Sequence, residues 1–205
     1  MANIYYKYGA MNSGKTTNIL QTAYNYEERD QKVILIKPLI DKKGGDQLVS
    51  RLGVTRKVDY LIDSDESIIV KINSVLDKID CILVDEVQFI TLEQAYELLI
   101  IAKKYNITVI AYGLKTDFLI NEFPGSLGMF RYADIMEEME TICRCGNIAK
   151  FNARIVNGEF VKVGDQVAID EMNNVSYESL CGECYLEKVE KIKILENNKS
   201  IKRRR

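Results

Sequence analysis

Gly9-Ala10-Met11-Asn12-Ser13-Gly14-Lys15-Thr16 fits the pattern G-x-x-x-x-G-K-[ST], with an apolar run, Ile4–Tyr8, before it and a helical pattern after it. Such a loop turns its backbone N–H groups inward, and the helix N-terminus adds partial positive charge, so the segment suits phosphate oxygens. Lys15 supplies a point charge for the outer phosphates of a nucleoside triphosphate, and Thr16 an oxygen for Mg²⁺. The plainer alternative, a glycine turn with a surface lysine, explains neither the full motif nor its flanks. A second group lies in Cys81-Ile82-Leu83-Val84-Asp85-Glu86, an apolar run ending in two carboxylates. In open α/β sheets ligands gather at the strands' C-terminal edge, which makes Asp85 a Mg²⁺ partner, direct or through water. Glu86 points elsewhere and is free to act on an acceptor. Histidine is absent, so acid–base work falls to carboxylates, Lys, Tyr or Cys, and Glu86 is the best base for a hydroxyl. The two motifs leave open whether phosphate passes to water or to an acceptor.

Cys143-Arg144-Cys145 and Cys181-Gly182-Glu183-Cys184 form a third constellation. Four thiolates from two turns give the tetrahedral sulfur set of a structural zinc, although one residue between the first two ligands is the less usual spacing. Disulfides or unrelated thiols are the alternatives; a reducing compartment argues against the first. A closed four-sulfur site has no open position, so it is assigned no catalysis. Cys81, within an apolar strand, reads as a core thiol.

The elements that must position these residues alternate between short strands and helices. Ile4–Tyr8, Val33–Ile36, Cys81–Val84, Thr108–Tyr112 and Ile135–Met139 read as strands, and residues 15–29, 65–79 and 91–105 as helices, with Thr91 an N-cap and Glu93 in its first turn. Asp41–Val58 has Gly44-Gly45, many charges and no period, and reads as a mobile loop. This order predicts an α/β fold, a P-loop NTPase-type parallel sheet flanked by helices, with a small β-rich zinc-binding appendage. The expected divisions are a P-loop nucleotide-binding α/β domain over 1–140, a zinc-binding β domain with a substrate lid over 141–186, and over 187–205 a C-terminal helix (its pattern running 185–197) and a basic tail (199–205). Asn157-Gly158 between residues 153–156 and 160–163 suits a type I′ hairpin.

Composition sets the outer bounds. The 205 residues carry 28 basic and 30 acidic side chains, a formal charge of -2, with 47% hydrophobic residues. That supplies one sizeable core and argues against a surface that grips nucleic acid throughout. No run reaches the roughly 18 apolar residues of a membrane span, and the N-terminus lacks the pattern of a signal peptide. The expectation is a cytoplasmic protein without nucleic-acid or membrane partners, its basic tail a solvated end.

Together with Asp85-Glu86-Val87-Gln88-Phe89, Gly113-Leu114, Phe118, and Tyr177 four positions before Cys181-x-x-Cys184-Tyr185, the phosphate loop resembles the cytosolic-type (type II) thymidine kinases, over about residues 3 to 186. The resemblance implies transfer of the ATP γ-phosphate to the 5′-hydroxyl of thymidine and deoxyuridine. It makes Glu86 the catalytic base and places Asp85 on Mg²⁺. Gln88 joins Gly9–Thr16 and Asp85 in the ATP-binding set. Met11, Phe89, Leu114, Phe118, Asn152 and Tyr177 become the nucleoside contacts. It further implies structural zinc on Cys143, Cys145, Cys181 and Cys184, a lid between the cysteine pairs, and a homotetramer. The sequence departs from the family pattern in its Cys-x-Cys pair, in Asn152 where a threonine is usual, in Asp170-Glu171 where glycines are usual, and in Asp41-Lys42-Lys43 where Asp-x-Arg is usual, leaving Arg51 as the nearby guanidinium. Another deoxynucleoside kinase, or a zinc-ribbon regulatory ATPase, are the competing readings.

Overall fold

The computed structural model describes residues 1–42, 44–162, 164, 166 and 174–191. Strand β1 (Ile4–Tyr8) leads into helix α1 (Lys15–Glu27), followed by β2 (Val33–Pro38), β3 (Gln47–Val49), β4 (Thr55–Lys57) and β5 (Tyr60–Ile62). Then come α2 (Ile68–Ile72), β6 (Cys81–Val84), a 3-10 turn (Val87–Phe89), α3 (Leu92–Lys104), β7 (Thr108–Gly113), α4 (Pro124–Tyr132) and β8 (Ile135–Glu138). Short strands β9 (Thr141–Ile142), β10 (Ile148–Ala149), β11 (Phe151–Val156), β12 (Glu159–Val161) and β13 (Val175–Leu180) precede a helix over residues 182–191. The chain forms two compact units: one of Met1–Gly9, Ser13–Lys115 and Glu122–Met139, the other of Ala10–Asn12, Thr116–Asn121 and Glu140–Arg205.

In the first unit six parallel strands run in the order β5-β2-β6-β7-β1-β8. Both faces are covered, so β6 is apolar throughout and β2 is apolar over Val33–Ile36 rather than alternating. Ile34, Ile36, Ile82, Val84, Val109 and Ala111 face one core with Ile68, Ile72, Leu98, Ile101 and Met129 from the helices. Val33, Leu35, Cys81, Leu83, Ile110 and Tyr112 face the other, with Ile19, Leu20 and Ala23 of α1. Cys81 is therefore the core thiol its neighbours predict, and burial pushes its pKa up to about 12.

Two local readings change, and one helix is added. The segment 41–58 holds the antiparallel β3–β4 hairpin, whose Leu48, with the following Val58, is buried in the second core. Two short apolar anchors with no period are enough to dock it. The pattern over 65–79 gives a helix only over Ile68–Ile72, capped by Ser67, before Asn73-Ser74. The β-branched run and Asn-Ser step propagate poorly, and bonds such as Val75 N–H to Ile72 O tighten residues 73–78 into turns. Helix α4, opened by Pro124 at its first position, has no periodic signal in the sequence. By contrast α3 begins as read, with a capping box between Thr91 and Gln94.

In the second unit β12-β11-β13 form an antiparallel sheet, with Asn157 and Gly158 at φ 52° and 82° as the type I′ turn requires. One face carries Ala153 and Leu180 into a cluster with Cys143, Cys181, Cys184, Tyr185 and Val189. Register sets Asn152 opposite Ser179 and Arg154 opposite Tyr177, so by the period of two these four share the other face. Lys43, Val163, Asp170-Glu171, residues 192–197 of the expected helix, and the basic tail 199–205 lie outside the described residues.

Candidate active site and cysteine cluster

The phosphate loop leaves β1 at the sheet's C-terminal edge, with Gly9 N–H bonded to Gly113 O at the end of β7. Gly9 has no room for a side chain: a Cβ there would lie 2.3 Å from Met139 O and 2.7 Å from Ser13 Oγ. Gly14 takes φ 78° and begins α1 without a side-chain cap, and a helix N-terminus is the end at which anions bind. Lys15 is buried and donates from Nζ to Gly9 O (3.2 Å) and Ser13 Oγ (3.1 Å).

Parallel pairing of β6 between β2 and β7 brings Asp85 and Glu86 to the same edge. Asp85 is 3% exposed. Burial, then the charge of Glu86 and that of Asp41, push its carboxyl up to about 8, against the pull of the Glu86 N–H and Lys15. A buried carboxylate among carboxylates calls for a cation, and the hard oxygen donors suit Mg²⁺. Asp41 is held by Lys37, a fully buried lysine of β2, at 2.9 Å; Lys37 also donates to Gly45 O at 3.3 Å. Arg51, the nearby guanidinium, is exposed.

Glu86 stands in the left-handed region, φ 49° and ψ 39°, which non-glycine residues adopt only when their surroundings impose it. Gln88, fully buried, donates from Nε2 to Glu86 Oε2 and accepts from Leu114 N–H at Oε1. Its side-chain partners are thus the acidic residue and the end of β7. The Asp-Glu-x-Gln spacing holds that signal, for the turn Val87–Phe89 folds Gln88 back toward Glu86. Leu114 O in turn accepts from Tyr6 Oη and Ser126 Oγ, at 2.8 and 2.7 Å; no sequence motif singles out Tyr6 or Ser126. Phe89 packs edge-on against Phe123.

Met11, Phe118, Asn152 and Tyr177 belong to the second unit. Phe118 is buried under the Arg154 guanidinium, 5.2 Å from ring centre to Cζ, and its carbonyl accepts from Tyr185 Oη at 2.8 Å. Asp117 fixes that loop by accepting from the N–H groups of Leu119 and Asn121, both at 2.8 Å. Asn152, 4% exposed, accepts from Met11 N–H at 2.8 Å and donates to Thr116 O at 3.4 Å. Tyr177 is half-buried on β13.

The four sequence-predicted cysteines come together, their sulfurs all within 4.8 Å of one another and free of disulfides. Cys143, Cys181 and Cys184 are buried and Cys145 exposed. Burial opposes ionisation of Cys143, but the N–H groups of Cys145 and Cys181 together with the thiols of Cys145 and Cys184 bring its pKa down to about 6. Cys184 is pushed up to about 12, first by its hydrogen bond with Cys145. Such a group can hold a metal ion, and a set of four thiolates suits zinc. The single residue between Cys143 and Cys145 does not prevent the gathering.

The thymidine kinase family model matches residues 2–185. A thymidine kinase of Idiomarina loihiensis is 41% identical over 184 residues, 88% of this chain and 94% of its own length. That of Haemophilus influenzae is 40% identical over 192 residues, 92% and 98% of the two chains. Among solved structures, the replication initiator DnaA bound to AMPPCP and single-stranded DNA aligns with 68% of this chain and 40% of its own, at a TM-score of 0.44 and 16% identity.

Proposed function

The chain belongs to the thymidine kinase family, and from that premise we propose that it transfers the γ-phosphate of ATP to the 5′-hydroxyl of thymidine, and of deoxyuridine, giving the nucleoside monophosphate and ADP. The observation that carries the reading is the pairing of a phosphate loop with Asp85 and Glu86 at one sheet edge, in a chain matched by the family model over nearly its whole length.

Each residue then has a chemical task. The N–H groups at the start of α1 and Lys15 Nζ bind and orient the triphosphate. Thr16 and Asp85 would hold Mg²⁺, which neutralises charge on the transferring phosphoryl group. Glu86 takes the proton from the 5′-hydroxyl as that oxygen attacks phosphorus, and Gln88 aims its carboxylate. Met11, Phe89, Leu114, Phe118, Asn152 and Tyr177 supply the nucleoside contacts, apolar and aromatic surface for the ring and polar groups for the pyrimidine edge and sugar. One amide N–H of Asn152 is not used in its two internal bonds and is available to that edge. Zinc on the four cysteines would hold β9, β13 and the helix over 182–191 together without entering the chemistry.

A homotetramer in the cytoplasm completes the reading. Among the described residues no helix is long and apolar enough to cross a membrane. Light scattering of the purified chain tests the assembly.

The test of function is phosphate transfer from Mg-ATP to thymidine, deoxyuridine, deoxycytidine and deoxyguanosine, beside a control with no acceptor. Thymidine-dependent product that disappears in Glu86→Gln is expected. Equal ATP loss in every tube, the control included, would mean a hydrolase. Better turnover of deoxycytidine or deoxyguanosine would mean a kinase of another nucleoside.

A further inference from the structure

The tip of the phosphate loop, Ala10–Asn12, is held by side chains of the second unit to which it belongs. Asn152 Oδ1 accepts from Met11 N–H at 2.8 Å, and Ser179 Oγ donates to Met11 O. Both backbone polar groups of one loop residue are therefore taken by two side chains. Those side chains stand directly opposite each other on β11 and β13, and are 4% and 8% exposed. Thr141 Oγ1 adds a bond to the next carbonyl, that of Asn12, at 3.3 Å.

The clamp bears on phosphate binding. An N–H bonded to an amide oxygen cannot also face a phosphate, so Met11 N–H is removed from the anion cradle. The other backbone N–H groups of the loop's second half follow it, from Asn12 to Thr16. Their placement depends on the conformation of the tip, where Asn12 takes φ 66° immediately before Ser13. Asparagine tolerates that region better than most side chains, and the two bonds to Met11 fix the chain one residue earlier. Removing Ser179 Oγ would leave Met11 O without its buried partner and release the tip.

We propose that Asn152 and Ser179 are positioning residues for the triphosphate loop, fixing its tip by clamping both backbone groups of Met11 from paired strands. The proposal rests on the reading of Gly9–Thr16 as the ATP site. It assigns Ser179, which no motif singles out, to ATP affinity rather than to the nucleoside.

The test uses the full chain with Mg²⁺ and a non-hydrolysable ATP analogue in a calorimeter, with steady-state kinetics beside it. Ser179→Ala is expected to weaken analogue binding about tenfold and raise KM for ATP by a similar factor, with KM for thymidine within about twofold of the parent. Ser179→Thr keeps the hydroxyl and should restore binding, which a general loss of stability would not produce. Should Ser179→Ala fail to fold, Asn152→Asp and Asn152→Leu are compared by analogue binding alone, because the carboxylate still accepts from Met11 N–H and the leucine does not, while Asn152 is itself a proposed nucleoside contact. Analogue binding by Ser179→Ala as tight as in the parent, or equal loss of affinity for both substrates, would overturn the proposal. Thymidine turnover by the parent chain is a separate readout: its absence would sink the thymidine reading while leaving the ATP comparison intact.

Discussion

Gln88 Nε2 lies 2.5 Å from Glu86 Oε2, so the proposed base is held by a buried amide two residues further along the chain. The same amide accepts from Leu114 N–H at 3.0 Å, which ties the carboxylate to the end of β7. Replacing Gln88 by Leu keeps the bulk and removes both bonds. We expect kcat to fall about 100-fold, as misplacement of a reacting group by an ångström commonly does, with KM for ATP near that of the parent. Gly113→Ala should reproduce part of the defect, since a Cβ at Gly113 would sit 2.7 Å from Gln88 Oε1. Steady-state kinetics of the two variants checks the pair; an unchanged kcat in Gln88→Leu would remove Gln88 from the mechanism.

Glu86→Gln is the sharper change, because it preserves shape and abolishes the proton acceptor. Loss of general-base catalysis costs about 10²–10⁴ in rate. Binding of a non-hydrolysable ATP analogue should survive, since Lys15 and the start of α1 hold the phosphates. Single-turnover phosphate transfer, read beside equilibrium analogue binding, separates the two.

Much of this site is legible in the sequence itself, for reasons that differ by residue. Gly9, Gly14, Lys15 and the Asp85-Glu86 pair are contiguous motifs, and the apolar run Cys81–Val84 fits only a strand covered on both faces. The cysteines are legible because four thiols in two turns have few other uses. The features that stay hidden are tertiary. Gln88 groups with ATP by resemblance, yet its described bonds are to Glu86 and Leu114, a fold-back that spacing alone does not disclose. Ser179 is an ordinary strand serine until β11 pairs with β13. The β3–β4 hairpin is hidden because two short strands carry too few residues to show a period.

Asp134 offers a pH test away from the site. Hydrogen bonds from Lys103 Nζ, first, and from Ile4 N–H hold its carboxyl below the ordinary value of 3.8. A carboxylate with a lowered folded pKa stabilises the fold at every pH above its ordinary value, and the contribution is lost as pH falls through the lower folded value. Asp134→Asn should therefore melt below the parent at neutral pH, by about 1–3 °C for a partly exposed pair. The gap should shrink as pH falls below the ordinary value of 3.8 and close below the lower folded value. Thermal unfolding of both chains across that range checks it; a gap independent of pH would mean that Asp134 acts by shape alone.

Tyr185 connects the cysteine cluster to the Phe118 loop. It follows the ligand candidate Cys184, stacks on Phe151 with ring centres 5.3 Å apart, and donates to Phe118 O at 2.8 Å. Phe118 in turn lies under Arg154. Tyr185→Phe retains the packing and removes one buried hydrogen bond, so stability should drop by about 1 kcal/mol. If Phe118 contacts the nucleoside as proposed, KM for thymidine should rise several-fold while zinc content stays at one per chain. Cys181→Ser should instead lose the metal, lowering the melting temperature and raising the thymidine KM, because the ligand set that fixes Cys184 and Tyr185 is broken. Metal analysis and kinetics on the two variants separate the hydrogen bond from the metal. Full zinc content in Cys181→Ser would remove Cys181 from the ligand set, and an unchanged thymidine KM in Tyr185→Phe would detach the cluster from the nucleoside.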